Sequence, residues 1–313
     1  MGDRIQGIGV VGHGFVGRAV ARQFSKAMRV YWYDSAEGGS GGQWMDGQPL
    51  WDCTNMDEGG RKHWAAQLCQ ACDGPIFICV PTPSRPDGAC DTSIVEQVIR
   101  ELEEHAPADY RNVAVIKSTV SPGTTDRLQQ LSTKWHLVHN PEFLTERTAD
   151  QDFAAQSEIF LGGPAVATAA VAELYRQGFD KHGLSMYPLE IHHMPAIETE
   201  LIKYIRNAFY AVKIEFANEI YDLCQRLGVD YSQVIGRGIV GHPWCGEQHW
   251  AVPGPDGMRG FGGKCLPKDL LGLVALCHQH GVIPSVMFTA WQQNTLRRPL
   301  DKMQELFPIL SPS

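Results

Sequence analysis

Residues 11–17 read VGHGFVG, and no other stretch constrains the chain as tightly. Gly12, Gly14 and Gly17 stand as Gly-x-Gly-x-x-Gly directly after an apolar run at 5–11 (IQGIGVV) and at the head of a helical pattern at 17–26. A strand that turns sharply into a helix needs one residue without Cβ at the turn. It needs a second where a phosphate meets the backbone and a third where helix and strand pack closely. The first helical turn then offers unpaired N–H groups and a positive dipole end to an anion, here through Phe15 and Val16. Asp34 closes the next apolar run, RVYWY at 29–33. A carboxylate at that place accepts hydrogen bonds from the adenosine ribose hydroxyls and repels a 2′-phosphate. Together these residues predict a site for NAD rather than NADP.

Further apolar runs follow at 75–80, 113–117, 136–139 and 158–161, with helical patterns between several of them, such as 92–104 and 122–132. Near-continuous apolar runs suit strands buried on both faces. Their alternation with helices predicts an α/β unit, a Rossmann-like doubly wound parallel sheet. From Glu198 to Gly228 the pattern changes. Leu201, Ile205, Phe209, Val212, Phe216, Ile220 and Leu223 recur at helical spacing, with Thr199 as N-cap and Gly228 as stop. Shorter helices are expected at 230–240, 267–281 and 284–298. The expected organisation is a nucleotide-binding domain over 1–196, a helical domain over 197–298 built on one long central helix, and a tail at 299–313. The Gly-rich stretch 36–60 and the Gly/Pro-rich stretch 241–263 read as loops.

The 313 residues carry a formal net charge of -8, a field that repels nucleic acid and anionic membranes. No run is long and apolar enough to span a bilayer, and the N-terminus lacks the layout of a signal peptide. A cytoplasmic protein is expected, in which the nine scattered cysteines stand as thiols. Cys53, His63, Cys69 and Cys72, or His242, Cys245 and His249, could bind zinc. Neither set has the paired spacing of a zinc signature, so no metal is expected.

Four segments place polar residues where hydrophobic patterning does not ask for them. KSTVSPGTT (117–125) and NPEFLTE (140–146) each follow a strand. Thr119, Glu142 and Glu146 therefore stand at strand carboxyl ends, where open sheets bind ligands. A simple turn start and a solvated carboxylate suit those positions equally well. Lys203 and Asn207 share one face of the long helix, at i and i+4, among apolar neighbours that predict burial. A buried Lys needs a partner or gives up its proton, which suits proton transfer or the holding of an alkoxide. A snorkelling surface Lys is the plain alternative. FGGKCLPKD (261–269) puts Cys265 at the start of a helix whose first position suits Pro267. The helix dipole, Lys264 and Lys268 all favour the thiolate there. Gly262 and Gly263 open the backbone to a substrate, and Asp269 stands one turn further on. An inert buried cysteine is the alternative.

Taken in order, VGHGFVG, PIFICVPTP with DGACDTSIVEQVI, IKSTVSPGTT, NPEFLTERTA, ELIKYIRNAF and FGGKCLPKD resemble the motifs of the UDP-glucose/GDP-mannose dehydrogenase family, from the N-terminus to about Arg298. The resemblance implies NAD-dependent oxidation of a sugar-nucleotide primary alcohol to a carboxylate in two hydride transfers. It implies Cys265 as the nucleophile, passing through a thiohemiacetal and a thioester. Lys203 and Asn207 would stabilise oxyanions, Thr119 and Asp269 would hold a catalytic water, and Glu142 would act as acid and base. Cofactor contacts would come from Thr82, Pro83, Thr119, Glu146 and Lys268, besides the Gly12–Gly17 turn and Asp34. Substrate contacts would come from Phe143, Leu144, Lys203, Asn207, Phe261, Gly262 and Gly263. A homodimer through the 199–228 helix is implied, as is a chain without the third, nucleotide-gripping domain usual in the family. Two other readings stay open. One is a two-electron dehydrogenase of β-hydroxyacid type, which shares the Lys-x-x-x-Asn helix and needs no cysteine. The other is a non-catalytic NAD-binding protein.

Overall fold

The computed structural model describes residues 5–35, 40–54, 58–179 and 189–298. The expected tail at 299–313 lies outside them. The chain divides into two compact units, Met1–Thr82 with Asp91–Lys203, and Pro83–Cys90 with Tyr204–Ser313. The division falls between Lys203 and Tyr204, inside a helix that begins at Ala196.

Among the described residues the first unit holds nine strands: β1 (Gly7–Val11), β2 (Arg29–Asp34), β3 (Ser40–Met45), β4 (Gln48–Thr54), β5 (Ile76–Ile78), β6 (Asn112–Ile116), β7 (Trp135–His139), β8 (Glu158–Gly162) and β9 (Glu190–Met194). They form one sheet in the order β4-β3-β2-β1-β5-β6-β7-β8-β9. Around it lie α1 (Phe15–Phe24), α2 (Glu58–Ala71), α3 (Ser93–His105), α4 (Thr124–Gln129), α5 (Ala149–Ala155) and α6 (Ala165–Phe179). Successive side chains of a strand point to opposite faces. Phe77 of β5 accordingly joins one buried cluster with Phe24, Phe153 and Tyr175. Its neighbours Ile76 and Ile78 join a second cluster with Val95, Ile99 and Trp135. Both faces are covered, which is why these runs carry no polar alternation.

The sheet is parallel through its centre, as expected, and has antiparallel pairs toward its edges. The strands from β2 through β1, β5, β6 and β7 run parallel. β3 is antiparallel to β2, β4 to β3, and β8 to β7. The stretch 36–60 is therefore largely a hairpin and a helix start rather than a loop; 36–39 and 55–57 lie outside the described residues. Met45 pairs with Gln48 across a two-residue turn in which Asp46 has φ 52° and Gly47 φ 76°. Positive φ at both turn residues matches the twist of paired strands, and Asp-Gly is a favoured sequence for it. Thr199 is not an N-cap either. It lies inside its helix with no exposed surface, donating its hydroxyl to Ala196 O and accepting from His139 Nδ1.

The second unit is helical. It takes the greater part of α7 (Ala196–Leu227) and contains α8 (Tyr231–Gly238), α9 (Leu266–Gln279) and α10 (Ser285–Arg297). Asp230 caps α8 by accepting from Ser232 N at 2.8 Å. Ala217, Cys224, Tyr231, Ile235 and Trp250 pack together between α7, α8 and the following loop. Much of the apolar pattern along α7 is not buried: Ile205, Phe209, Phe216, Leu223 and Leu227 are exposed. No helix among the described residues is long and apolar enough to cross a membrane.

Candidate active site

In the first unit, the chain leaves β1 toward β2, β3 and β4, then returns to the other side of β1 as β5. Connections diverge at such a point, and the strand carboxyl ends there open a crevice. The Gly12–Gly17 turn stands at that place. Gly12 has φ +90°, and a Cβ on it would meet Cys79 O at 2.6 Å. A Cβ on Gly17 would overlap the Gly12 carbonyl oxygen, whereas one on Gly14 would meet nothing within 4 Å. Gly14 is the N-cap of α1 and supplies no side-chain cap, so the N–H groups of Phe15 and its neighbours face outward for an anion. Asp34 Oδ2 accepts from His13 N at 2.6 Å and ties the end of β2 to the turn. The His13 ring stacks on Trp32 at 3.8 Å between centroids. Burial, and then Arg18, lower its pKa to about 4 against the pull of Asp34. On the other side of the crevice, Thr82 Oγ1 donates to Thr119 O at 2.7 Å. A cradle that excludes Cβ atoms and presents uncapped N–H groups fits a dinucleotide pyrophosphate.

The loop after β7 carries the acid of this unit. Lys203 and Glu142 are both buried, and Lys203 Nζ donates to Glu142 Oε1 at 2.9 Å and to Glu142 O at 2.6 Å. Glu142 Oε2 accepts from Leu144 N at 2.7 Å. The same ammonium lies 5.5 Å from the centre of the Phe143 ring. Sequence reasoning missed what holds this loop from behind. Lys117 Nζ, fully buried, donates to Asn140 Oδ1 at 2.9 Å and to Asn140 O at 3.3 Å. Tyr175 OH donates to Asn140 Oδ1 at 2.5 Å, and Asn140 Nδ2 donates to Phe160 O at 2.9 Å. Two lysines thus hold two carbonyls either side of Pro141. The available signal was a lysine closing an apolar strand run, as unusual in pattern as Lys203.

In the second unit, Cys265 is the N-cap residue of α9, half-buried, with Pro267 in the first turn. Asp269, one turn on, has no exposed surface. Its Oδ2 accepts from Asn207 Nδ2 at 2.5 Å and its Oδ1 from Lys268 Nζ at 2.6 Å. Lys268, expected at the cofactor, is here engaged with Asp269. The segment leading to Cys265 is fastened by residues the sequence reading did not single out. Buried Asn294 accepts from Phe261 N at 2.8 Å and donates to Phe261 O at 3.0 Å, as a neighbouring strand would. Asn218 accepts from Gly260 N at 3.3 Å, and Arg298 donates to Arg259 O at 3.1 Å. Gly262 and Gly263 follow, the second exposed.

Of the remaining candidates, Glu146 is exposed in a 3-10 turn at Glu146–Thr148, and Pro83, also exposed, groups with the second unit. Among the zinc candidates, Cys69 and Cys72 are buried thiols, raised by that burial. His249 stacks on Tyr210, and the Cys53 side chain lies outside the described residues. No group containing any of them has metal-ligand spacing among the described residues.

The first unit is thus a dinucleotide-binding unit, and the second presents a cysteine at a helix start. Two models of one family match in the expected order. The UDP-glucose/GDP-mannose dehydrogenase family NAD binding domain covers residues 65–179, and the central domain of that family covers 197–295. The chain belongs to the UDP-glucose/GDP-mannose dehydrogenase family, and NAD is its cofactor. The first match begins beyond the β3–β4 hairpin. A UDP-glucose 6-dehydrogenase of Rhizobium meliloti is 36% identical over 239 residues, 71% of this chain and 50% of that protein. The chain spans about half the length of the curated relatives it matches. A UDP-glucose dehydrogenase structure from Pyrobaculum islandicum superposes with a TM-score of 0.71 at 26% identity, covering 94% of this chain and 69% of that one. A 3-hydroxyisobutyrate dehydrogenase structure from Mycobacterium tuberculosis, 17% identical with a TM-score of 0.66, covers 92% of each chain and shares the fold.

Proposed function

We propose that the chain oxidises the primary alcohol of a sugar nucleotide to a carboxylate, with Cys265 as nucleophile. The observation that carries the reading is Cys265 at the start of α9, one turn ahead of a fully buried Asp269 that Asn207 and Lys268 both grip. A helix N-terminus favours the thiolate, and a buried carboxylate with two fixed donors has a defined direction in which to accept from a water. NAD, renewed between the two oxidations, would supply the oxidant, each molecule taking up one hydride. The chain's residues do the rest. Lys203, positioned by Glu142, and Asn207 stabilise the oxygen as charge develops on it. Cys265 Sγ adds to the aldehyde carbon, and the oxygen takes up a proton to give a thiohemiacetal. Loss of the second hydride and that proton leaves a thioester. Water held by Thr119 and Asp269 attacks it, Glu142 takes the water's proton, and the carbon–sulfur bond breaks to return the thiol and release the acid. The chemistry suits a reducing compartment such as the cytoplasm. The reading also includes a homodimer. Ile205, Phe209, Phe216, Leu223 and Leu227 are exposed at spacings that line one face of α7, a stripe a second copy would cover.

An NADH absorbance screen over sugar nucleotides, free sugars and hydroxy acids tests the reaction. The expected result is two NADH per sugar nucleotide, with Cys265→Ala stopping at the aldehyde. One NADH per substrate, indifferent to Cys265→Ala, would move the chain to the two-electron reading. No NADH from any substrate would leave a binding protein.

A further inference from the structure

In the first unit, β6 runs into the loop KSTVSPGTT, whose two ends are fastened in different ways. At its start, Lys117 N donates to Ile78 O at 2.9 Å and Ser118 Oγ donates to Val80 O at 2.7 Å. At its other end stands α4, whose N-cap residue, Gly123, has no side chain to offer. The cap comes instead from α7. Glu200 Oε2 accepts from Gly123 N at 2.5 Å, and Oε1 accepts from Thr125 N at 2.8 Å and from Thr125 Oγ1 at 2.6 Å. Glu200 has no exposed surface and makes no ion pair among the described residues. We propose that Glu200 is the positioning residue for Thr119: its carboxylate fixes the far end of the Thr119 loop, and loss of its charge releases that end. The inference rests on the reading of Thr119 as a contact for cofactor and water.

Between the two fastenings lie only Thr119 to Pro122. Val120 is fully buried, Pro122 has a fixed φ, and Thr119 O already accepts from Thr82 Oγ1 at 2.7 Å. So short a span has little freedom while both ends are held, and gains it when one is let go. The strength of the hold depends on charge. Three donors converge on two oxygens, which suits a carboxylate; a protonated carboxyl must itself donate and is a weaker acceptor. Burial opposes that charge. It raises the Glu200 pKa to about 7, while the bonds from Thr125 and Gly123 hold it down and Asp126 adds to the rise. Cations on the elements around it are engaged elsewhere. Arg127 of α4 pairs with Glu96, Lys117 at the end of β6 donates to Asn140, and Lys203 of α7 pairs with Glu142. His139 of β7 meets Thr199, and burial, Lys117 and Lys203 lower its pKa to about 3, so it is neutral. The folded pKa of Glu200 lies above the unfolded 4.5, so this group's contribution to stability is full below that value and is lost as pH rises through about 7. The charged form that grips the loop is therefore the costly one, and it gives way near neutral pH.

The test uses the full chain and four proteins: wild type, Glu200→Gln, Thr125→Val and Asp126→Asn. Amide exchange at 123–125, corrected for the intrinsic effect of pH, and NADH affinity are followed between about pH 5.5 and about 8.5. In wild type, protection at Gly123 and Thr125 and NADH affinity are expected to rise together, roughly tenfold, with a midpoint at about 7. Glu200→Gln, neutral at every pH, keeps the low-pH values throughout. Thr125→Val removes a bond that favours the charge and moves the midpoint up; Asp126→Asn removes a repelling neighbour and moves it down. A role in folding alone would give no midpoint that these two changes move in opposite directions. Asp126 is exposed, so that variant keeps the question open to measurement where Glu200→Gln fails to fold. Protection that does not vary with pH in wild type overturns the proposal, as does a midpoint that Asp126→Asn and Thr125→Val leave in place. Loop release with NADH affinity unchanged overturns it too. No readout depends on turnover, so a chain that oxidises no sugar nucleotide still decides this one.

Discussion

Lys117→Met makes a quantitative probe of the first unit, because the lysine's charge sits where only neutral groups receive it. Its acceptors are Asn140 O, Asn140 Oδ1 and Tyr175 OH. Burial brings its pKa down to about 8 from 10.5; Cys79 and Glu142 hold it up and Lys203 pushes it further down. The folded value lies below the unfolded one, so between pH 8 and 10.5 the unfolded chain binds more protons. A penalty present in full near neutral pH is therefore relieved as pH rises through that window. The full gap, 10.5 minus 8, is about 2.5 units at about 1.36 kcal/mol each, and about 2 kcal/mol of it is realised by a pH of about 9.5. Lys117→Met also leaves the Asn140 carbonyl unpaired, but that cost does not vary with pH. Burial raises the thiols Cys72 and Cys79 so far that both stay protonated in the folded chain at a pH of about 9.5. Losing Lys117, which lowers Cys79, raises Cys79 further, so up to that pH the thiols contribute alike in both proteins. Urea unfolding at about pH 7 and about pH 9.5 is therefore expected to show the wild type gaining about 2 kcal/mol on the variant. A difference that stays flat refutes a buried ammonium at 117, and one that moves the other way refutes the assigned sign.

Two further changes probe the turn and the cysteine loop. Gly17→Ala would place a methyl group on the Gly12 carbonyl oxygen, so the turn must open. NADH affinity is expected to fall roughly a hundredfold or more, and a fluorescence titration indistinguishable from wild type would show that the close approach is not needed. Asn294→Ala strips both partners from the Phe261 backbone, in a place with no exposed surface. A stability loss of about 2 to 3 kcal/mol in urea is expected, with faster hydrogen exchange at amides 260–263. A loss below about 0.5 kcal/mol would mean the loop holds itself.

The elements legible in the sequence were those whose cause is local. The strands β1, β2, β5, β6 and β7 sit in continuous apolar runs, and the Gly12–Gly17 turn has its spacing in seven residues. The β3–β4 hairpin was hidden by its glycines, since Gly41 and Gly42 are poor strand formers and drew the eye from Asp46-Gly47. Sheet pairing supplied what propensity did not. Asn140, Asn218 and Asn294 were not legible, because each makes its bonds across a long sequence separation and no spacing announces such a partner.

The long helix marks the sharpest limit. Its apolar residues recur with the period of a buried helix, and Tyr204, Ala208, Ala211 and Ala217 are indeed buried. Yet those four stand outside the run that shows the period, whereas Ile205, Phe209, Phe216 and Leu223 belong to it and face outward. Periodicity reports only that a face avoids water, and it is silent on whether the cover comes from the same chain. A helix apolar on more than one side is stable in water only when something lies against each side. The exposed stripe is thus a demand that the described residues leave unmet, and replacing Phe216 by Asp would test whether a second copy meets it. The expected outcome is a dimer in wild-type sedimentation and a monomer in the variant; a monomer in both would remove the dimer from the proposed function.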